Sequence, residues 1–346
     1  MTVETGRRGV LSGIPIAGAL LALAACSKSG SGSETGGKLG RQRSVAWAVG
    51  TPGSDFVLEI SLGAADAAEM VGWKFNRILN AQPSPDAHIN AIRQAITARS
   101  DVILTVDWYQ AVIDEVAKGQ KQGSHFAIVN SANNPDTLAP LNVPFVGQQP
   151  RDAGRMIGER IAATLKAGGV TSGSVLVGNP FPGSLNVEER ILGVRDGLGS
   201  GGLRLVSFPD GSAADAATAV GLYKAKIREV GDVVAHAAAG GEMSAVPLAK
   251  ALAELGETPG SILVVGTVSS LKVLNLVKSG VMRFAIDECL YYQGFFAVLL
   301  AWSMIERGMP AVSMAPGHIW VTPDNVEAMI QSYETRKKAA AAYGLS

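Results

Sequence analysis

The chain has 346 residues, and its 30 lysines and arginines balance its 30 aspartates and glutamates, so its formal net charge is zero. This neutrality, together with the lack of a dense basic run, argues against nucleic acid as a partner. The chain has only two cysteines, Cys26 and Cys289, which excludes a scaffold stapled by several disulfides.

The N-terminal 25 residues have the pattern of an export signal. Arg7 and Arg8 precede an apolar stretch, residues 11–25, that is too short to form a stable membrane-spanning helix. A charged start, a short apolar middle and a small-residue end are typical of a secretory signal peptide, predicted here as residues 1–25. The arginine pair also resembles a twin-arginine signal, and the choice between the two export routes stays open.

The signal ends in Leu23-Ala24-Ala25-Cys26, which resembles the bacterial lipobox. This resemblance implies that Cys26 becomes a lipidated N-terminus, with acyl chains that hold the protein at the outer face of the cytoplasmic membrane. Residues 26–42 are rich in Ser and Gly and are predicted to form a flexible tether. The alternative is an ordinary signal peptide followed by an incidental cysteine.

Beyond the tether, short apolar runs alternate with longer segments of helical period. The strand predictions are residues 43–50, 73–79, 101–106, 125–130, 143–148, 173–179, 203–209, 232–239, 261–267, 283–288 and 317–323. Helical segments include residues 85–98, 151–167, 186–199 and 324–344. The alternation predicts an α/β protein with two parallel sheets, each covered by helices on both faces.

Ligands of such sheets bind beyond the carboxyl ends of the strands, so the residues after each strand are the candidate site. Phe56 and Trp108 lie there and offer flat faces for the C–H side of a sugar ring, with Tyr109 as a possible shield of the cleft. Trp108 alone would more often be core packing. Several such side chains at strand ends together indicate a small polyhydroxylated ligand.

Polar side chains at other strand ends fit the same kind of ligand. Asn130, Asp287 and Glu288 can accept hydrogen bonds from hydroxyl groups. Two further candidates have competing structural roles. Asp107 would serve equally as the N-cap of the helix that follows it, and Glu188 as a solvated residue in the first turn of its own helix.

Enzymatic chemistry has little support in the sequence. The four histidines show no metal-ligand spacing, and neither a G-x-S-x-G elbow nor a Walker A loop occurs. Asp287 and Glu288 are adjacent, so along a strand they point to opposite faces and make a poor acid–base pair. Cys289 lies beside an apolar run and is expected to be inert. We therefore predict a binding protein without metal or cofactor.

Four motifs resemble the type I periplasmic binding proteins, specifically the sugar-binding components of ABC importers. They cover most of the chain from residue 45 to the last helix, in the expected order. In sequence they read VGTPGSDFVLEISLGAADAA, FVGQQPRDAGRMIGERIA, NPFPGSLNVEERILGVRDGL and FAIDECLYYQGFFAVL, the last being the most specific.

The resemblance implies two doubly wound parallel-sheet lobes joined by a crossover hinge, which closes around a sugar and delivers it to the membrane subunits of an ABC permease. The expected N-terminal lobe comprises residues 43–131 and 291–316, and the C-terminal lobe residues 132–290 and 317–346.

Position by position, the resemblance favours Phe56 as a stacking residue. It places Asn130 at the first crossing between lobes and the pair Asp287 and Glu288 at the last. Glu188 matches a glutamate of the third motif, in which Arg190 and Gly193 belong to the scaffold.

Departures from the family pattern limit the class of ligand that can be predicted. Glu288 stands where the family usually has Gln, Ser269 where it has Asp, and Glu188 where ribose-type binders commonly have Arg. All three are predicted to contact the ligand. The resemblance therefore does not predict ribose as the ligand, and a small neutral sugar or polyol is predicted instead. An acidic sugar is disfavoured because Asp287, Glu288 and Glu188 would repel it.

Two other functions were weighed against sugar import. A sensory or signalling lipoprotein that binds a nucleoside or an autoinducer-like molecule remains the alternative. A sugar-responsive repressor would need a helix-turn-helix head, whereas this chain begins with an export signal.

Overall fold

The computed structural model describes residues 42–51, 53–80, 84–132 and 135–345. The predicted signal peptide, Cys26 and all but the last residue of the tether lie outside these ranges. Among the described residues, none of the helices has the length and apolar character needed to span a membrane.

The first sheet has the strand order β11-β5-β4-β3-β1-β2, and all of its pairings are parallel. Its strands are β1 (Ser44–Val49), β2 (Lys74–Leu79), β3 (Val102–Asp107), β4 (His125–Ala132), β5 (Phe145–Gly147) and β11 (Ser313–Met314). The order along the chain reverses between β1 and β3, which is the switch point at which parallel sheets leave a crevice for ligands.

The second sheet repeats this arrangement in the order β12-β10-β9-β8-β6-β7. Its strands are β6 (Ser172–Asn179), β7 (Gly202–Pro209), β8 (Val233–Ala238), β9 (Leu263–Val268), β10 (Phe284–Asp287) and β12 (Ile319–Val321). The switch point here lies between β6 and β8. The two-sheet α/β architecture predicted from the sequence is confirmed.

Helices connect and cover the strands. They are α1 (Asp55–Met70), α2 (Pro85–Thr97), α3 (Ala111–Lys121), α4 (Pro150–Ala167), α5 (Leu185–Leu198), α6 (Ala216–Val230), α7 (Glu242–Glu254), α8 (Leu271–Lys278), α9 (Leu290–Arg307) and α10 (Val326–Ala342). We call the first sheet with α1, α2, α3 and α9 the first lobe, and the second sheet with α4 to α8 the second lobe.

Strand β1 shows why the central strands read as continuous apolar runs. Trp47 packs on one face of the sheet with residues of α1 and α9, whereas Ala46 and Ala48 pack on the other face with residues of α2 and α3. A strand covered on both faces has no solvent side, so its sequence lacks the polar alternation of a half-exposed strand.

Local signals fix where the helices start. The hydroxyl of Ser54 accepts a hydrogen bond from the Val57 N–H at the start of α1, and the hydroxyl of Ser84 accepts one from the Ala87 N–H at the start of α2. These N-caps satisfy backbone donors that have no partner within the helix. The cap of α1 also fixes the position of Phe56, the second residue of that helix, beyond the end of β1.

One strand departs from the predicted parallel arrangement. Strand β12 pairs antiparallel with β10. The chain reaches it directly from β11 of the first sheet, without a preceding crossover helix, so nothing requires it to run parallel to its neighbour.

The predicted lobe boundaries stay a prediction, but sheet membership shifts the first of them. Strand β5 pairs with β4, so the chain remains in the first sheet past residue 131 and leaves it only after Gly147. A side chain at Gly147 would meet the carbonyl oxygen of Asn130 at 2.4 Å, so this close approach requires glycine.

Candidate functional site

Two contacts, Asp55 with Leu271 and Asn130 with Glu288, join the carboxyl ends of the two sheets, and we call the region between these ends the cleft. Asp55 follows β1 in the first lobe, and Leu271 follows β9 in the second. The Leu271 N–H donates to Asp55 Oδ2 at 3.3 Å, at the positive N-terminal end of α8. The tips that carry Phe56 and Ser269 are therefore brought to the same cleft.

An aromatic wall forms on the first-lobe side of this cleft. The rings of Phe56 and Trp108 lie 5.9 Å apart between centroids, tilted by 32°. Both side chains are half-buried and rest against the core of the first lobe. The structure thus places these two predicted stacking residues side by side, and their part in ligand binding stays a prediction.

His88, on α2, supports this wall from behind. Its Nδ1 accepts a hydrogen bond from the Gly50 N–H at 3.0 Å, and its Nε2 lies 2.9 Å from the Val106 carbonyl oxygen, which makes Nε2 the protonated nitrogen. The ring centroid is 5.5 Å from that of Trp108. Burial lowers the pKa of His88 to about 4, so it is neutral at physiological pH.

A buried polar cluster connects the two lobes. Arg190 Nη2 donates to Glu288 Oε1 at 3.1 Å, and Asn130 Nδ2 donates to Glu288 Oε2 at 3.4 Å. Arg190 Nη1 also donates to the Ala239 carbonyl at 2.8 Å, beyond the end of β8. Glu288 is only 7 % exposed, so the arginine is the counter-ion that makes a buried carboxylate tolerable.

The position of Asn130 corrects one expectation. It does not lie where the chain crosses between lobes but within β4, where the pairing with β3 shifts register. Its φ of 68° is in the left-handed region, which asparagine tolerates better than most residues. The irregular backbone at Asn130 accompanies a side chain that reaches Glu288 from the first lobe.

Asp287 and Cys289 flank Glu288 where the chain crosses from β10 of the second lobe to α9 of the first, and a later crossing leads from β11 to β12. Asp287 Oδ1 accepts a hydrogen bond from the Cys289 N–H at 2.7 Å. Burial raises the pKa of Asp287, and this hydrogen bond opposes the shift. Burial, and then the charge of Asp287, raises the pKa of the Cys289 thiol to about 11. The thiol therefore stays protonated and weakly nucleophilic at neutral pH.

Two candidate site residues of the second lobe, Glu188 and Ser269, accept hydrogen bonds from neighbouring turns and helix starts. Glu188 Oε1 accepts hydrogen bonds from Asn179 Nδ2 at 2.9 Å and from the Gly183 N–H at 3.2 Å, which closes the turn between β6 and α5. Ser269 Oγ accepts from the Glu242 N–H at 3.2 Å, at the start of α7. These contacts show structural roles, and direct contact with a ligand stays a prediction for both residues.

Asp107 is not the N-cap that the sequence offered as an alternative. It is the last residue of β3 and is buried, whereas α3 begins at Ala111 after Gln110. Asp107 has interactions of its own in the structure. Its place at a strand end beside Trp108 agrees with the prediction that it is a site residue, and its contact with a ligand stays a prediction.

Several buried polar atoms around the cleft have no hydrogen-bond partner within the described part of the chain. They are Trp108 Nε1, Ser131 Oγ, Arg190 Nε and Ser270 Oγ. A buried polar atom without a partner costs about 1–3 kcal/mol, so such atoms at strand ends are candidates for contact with a polar ligand.

The order of the strands, the crevice between two sheets and the carboxyl-end site agree with a comparison to known families. The periplasmic binding protein domain matches residues 45–308. This chain belongs to that family. Membership confirms the prediction of a solute-binding protein rather than an enzyme, and it agrees with a location outside the cytoplasm.

Individual relatives are remote in sequence and close in fold. The D-ribose/D-allose-binding protein of Pseudomonas aeruginosa is 24% identical over 268 residues, which is 74% of this chain and 80% of the relative. GanP, a glucose-galactose binding protein from Geobacillus stearothermophilus, has a TM-score of 0.73 at 17% identity and covers 83% of this chain and 99% of its own. A carbohydrate transporter from Acidothermus cellulolyticus in complex with myo-inositol has a TM-score of 0.71 at 21% identity, with coverages of 86% and 99%.

Sequence reasoning missed three residues that organise the site. Arg190 was assigned to the scaffold although it neutralises Glu288, and neither Asp55 nor His88 was singled out. Both were visible as polar residues beside a predicted site: Asp55 precedes Phe56, and His88 lies on an otherwise apolar helix face. Their partners are distant in sequence, so the contacts themselves left no local pattern.

Proposed function

We propose that this protein is an extracytoplasmic, lipid-anchored substrate-binding component of an ABC importer, which captures a small neutral sugar or polyol between its lobes. The observation that carries the proposal is the combination of an aromatic wall with a charge-neutralised polar cluster at the meeting strand ends. Sugars have an apolar C–H face and a rim of hydroxyls, and they require both kinds of surface.

The aromatic wall supplies the first kind. Phe56 and Trp108 present a half-buried apolar surface, and the Trp108 N–H is a donor that a hydroxyl oxygen could satisfy. Their interplanar angle of 32° leaves the faces of the two rings at different inclinations, as a puckered ring would require.

The polar cluster supplies the second kind, and its electrostatics bear on the ligand charge. The only cation bonded to Glu288 in the described structure is Arg190, so the pair carries no net charge. Asp287 lies beside it, already disfavoured as an anion by its burial. A carboxylate or phosphate on the ligand would raise that cost further, which favours a neutral ligand.

The relatives support the same class of ligand. Their names refer to ribose, allose, glucose, galactose and myo-inositol, all of which are small, neutral and rich in hydroxyls. Because Glu188, Ser269 and Glu288 depart from the pattern of ribose-type binders, we do not assign one of these compounds.

Lobe closure would couple capture to delivery. A ligand that touches both lobes only when they are closed stabilises the closed state by that difference in affinity. The closed form is the one that an ABC permease could recognise as loaded, so the membrane subunits of a permease are the proposed partner.

A thermal-shift screen tests the ligand class. The purified protein is heated with pentoses, hexoses, myo-inositol, uronic acids and nucleosides, and we expect a rise in melting temperature with a neutral sugar or polyol only. Asp287→Ala should abolish that rise, whereas Asp114→Ala, an exposed carboxylate on α3, should keep it. A response to nucleosides alone would instead favour the signalling alternative.

The lipid anchor is tested separately. Cys26→Ala removes the thiol that would carry the diacylglyceryl group, so the processed variant should leave the membrane fraction and carry no lipid at its N-terminus. Mass spectrometry of the N-terminus and membrane fractionation measure both effects. Unchanged membrane association would refute the anchor without bearing on the ligand.

A further inference from the structure

Helix α10 lies beyond the part of the chain that matches the family domain, which ends at residue 308. It follows β12, an edge strand of the second sheet, yet it packs against helices of both lobes, α8 in the second and α1 in the first. Its two ends therefore belong to different lobes.

The N-terminal part of α10 is anchored in the second lobe. Val326, Ile330 and Tyr333 are buried at helical spacing and share a core with residues of α8, among them Val273 and Leu274. Exposed charges add one ion pair on the same side, between Lys278 of α8 and Glu327 at 2.7 Å.

The C-terminal part of α10 is anchored in the first lobe. Ala340 and Leu345 are buried in a small apolar cluster with Leu58 and Leu62 of α1. The chain end is held further by Arg77 of β2, whose Nη1 donates to the Leu345 carbonyl at 2.8 Å.

A buried ion pair lies between these two anchors. Arg336 Nε donates to Glu59 Oε2 of α1 at 2.5 Å, and Glu59 is only 6 % exposed. One turn earlier, Tyr333 lies beside Asp55, the residue that reaches Leu271 across the cleft. Near the end of the helix, the Tyr343 hydroxyl donates to Glu69. The contact with α1 thus runs along most of that helix.

We propose that α10 is a strap that holds the two lobes together beside the cleft and must undock from α1 before the lobes can separate fully. A hinge opening moves α1 relative to the second lobe, while α10 remains anchored there by Val326 and Ile330. Undocking would expose the cluster around Ala340 to water and would part Arg336 from Glu59. Exposing that apolar cluster is unfavourable, so the strap keeps the ligand-free protein more closed than its hinge alone would. The ion pair adds direction to the docked contact, because Glu59 stays buried there and needs Arg336 as its counter-ion.

The strap does not depend on the identity of the ligand, so its test uses the ligand-free full-length protein. Ala340→Glu places a charge in the apolar cluster on α1, and Arg336→Ala removes the cation from the buried pair. Amide exchange reports whether α10 has left α1, and small-angle X-ray scattering reports the separation of the lobes. Glu327→Ala is the matched control, because it breaks an exposed ion pair of α10 within the second lobe only.

We expect Ala340→Glu to speed amide exchange in residues 336–345 by about tenfold or more and to increase the radius of gyration. Arg336→Ala should act in the same direction, and Glu327→Ala should match the wild type in both measurements. Faster exchange with an unchanged radius of gyration would overturn the proposal, since the strap would be released and the lobes would not respond. Unchanged exchange in both variants would equally overturn it, because these contacts would then not hold α10. Neither result would bear on sugar binding.

Discussion

His88 joins the ends of β1 and β3 through a ring that has no contact with solvent. Its two nitrogens have opposite roles, because Nδ1 accepts from Gly50 and Nε2 donates to Val106. Only the neutral imidazole can fill both roles. The site wall that Trp108 forms against this ring therefore depends on the protonation state of a residue that is itself out of reach of a ligand.

The first prediction concerns the pH dependence that follows. The pKa of His88 is about 4 in the folded protein and about 6.5 in an unfolded chain. The unfolded state therefore binds a proton first as the pH falls, and stability is lost between pH 6.5 and 4. Between pH 7 and pH 4.5, the titration of His88 lowers the free energy of unfolding by roughly 2–3 kcal/mol. His88→Gln keeps an acceptor and a donor without a titrating proton, so the variant should lose that much less stability than the wild type between these two pH values.

Chemical denaturation of both proteins at the two pH values measures the difference. The variant should unfold cooperatively at pH 7, which controls for a simple loss of packing. An equal loss of stability on acidification in wild type and variant would contradict the role given to His88.

At the scale of residues, the sequence predicted which side chains lie at the strand ends, from their chemical type and position. It did not predict which other side chains they contact. Phe56 and Trp108 were singled out as flat aromatic faces directly after strands, and the structure places their rings 5.9 Å apart. The pairing of Arg190 with Glu288 joins residues 98 positions apart, and nothing near either residue signals the other. Long-range ion pairs of this kind depend on how distant elements pack together, here α5 against the end of β10.

At the scale of elements, the closest contact in the first lobe is the crossing of α1 and α9. A side chain at Gly294 of α9 would meet the Ile60 carbonyl oxygen at 2.1 Å, and one at Gly63 of α1 would meet the Tyr291 carbonyl oxygen at 1.9 Å. The two backbones are therefore in direct contact. Because α9 follows the crossing from β10, this contact also fixes Asp287 and Glu288 relative to the aromatic wall.

The second prediction tests that contact. Gly294→Ala forces two backbones apart, and we expect it to destabilise the protein by about 2–4 kcal/mol. Gly221→Ala is the matched control, since Gly221 lies on an exposed face of α6 with open space around it. That change should stabilise the protein by about 0.5–1 kcal/mol. Denaturant titration measures both, and similar effects of the two substitutions would contradict the close-contact argument.

Element predictions succeeded where a segment had a clear period and failed where tertiary contacts decide. The central strands and most helices were recognisable because each is long and buried on a regular face. The sheet that strand β5 joins and the direction of β12 were not, because a three-residue strand carries too little pattern. Helix α10 was predicted as a helix, but its contact with both lobes depends on how those lobes meet.

For the whole molecule, the contacts between lobes differ in how they respond to opening. Asn130 and Glu288 lie near the crossing from β10 to α9, where opening changes distances least. Asp55 and Leu271 lie at the ends of α1 and α8, and their contact is a single hydrogen bond to a charged carboxylate. Such a bond contributes about 1.5–3 kcal/mol, enough to change the ratio of closed to open molecules by about tenfold or more.

The last prediction follows from that contact. Asp55→Asn keeps the shape of the side chain and removes its charge, so the closed state with ligand should be less stable and the ligand should dissociate about tenfold faster. The association rate should not fall, because capture occurs in the open state, in which Asp55 and Leu271 are apart and which the substitution favours. Stopped-flow tryptophan fluorescence with the best ligand from the screen separates the two rates. Asp86→Asn is the matched control, since Asp86 occupies the first turn of α2 after a serine N-cap, as Asp55 does in α1, but is exposed. If both variants accelerate dissociation equally, the effect belongs to the helix ends and not to the contact between lobes.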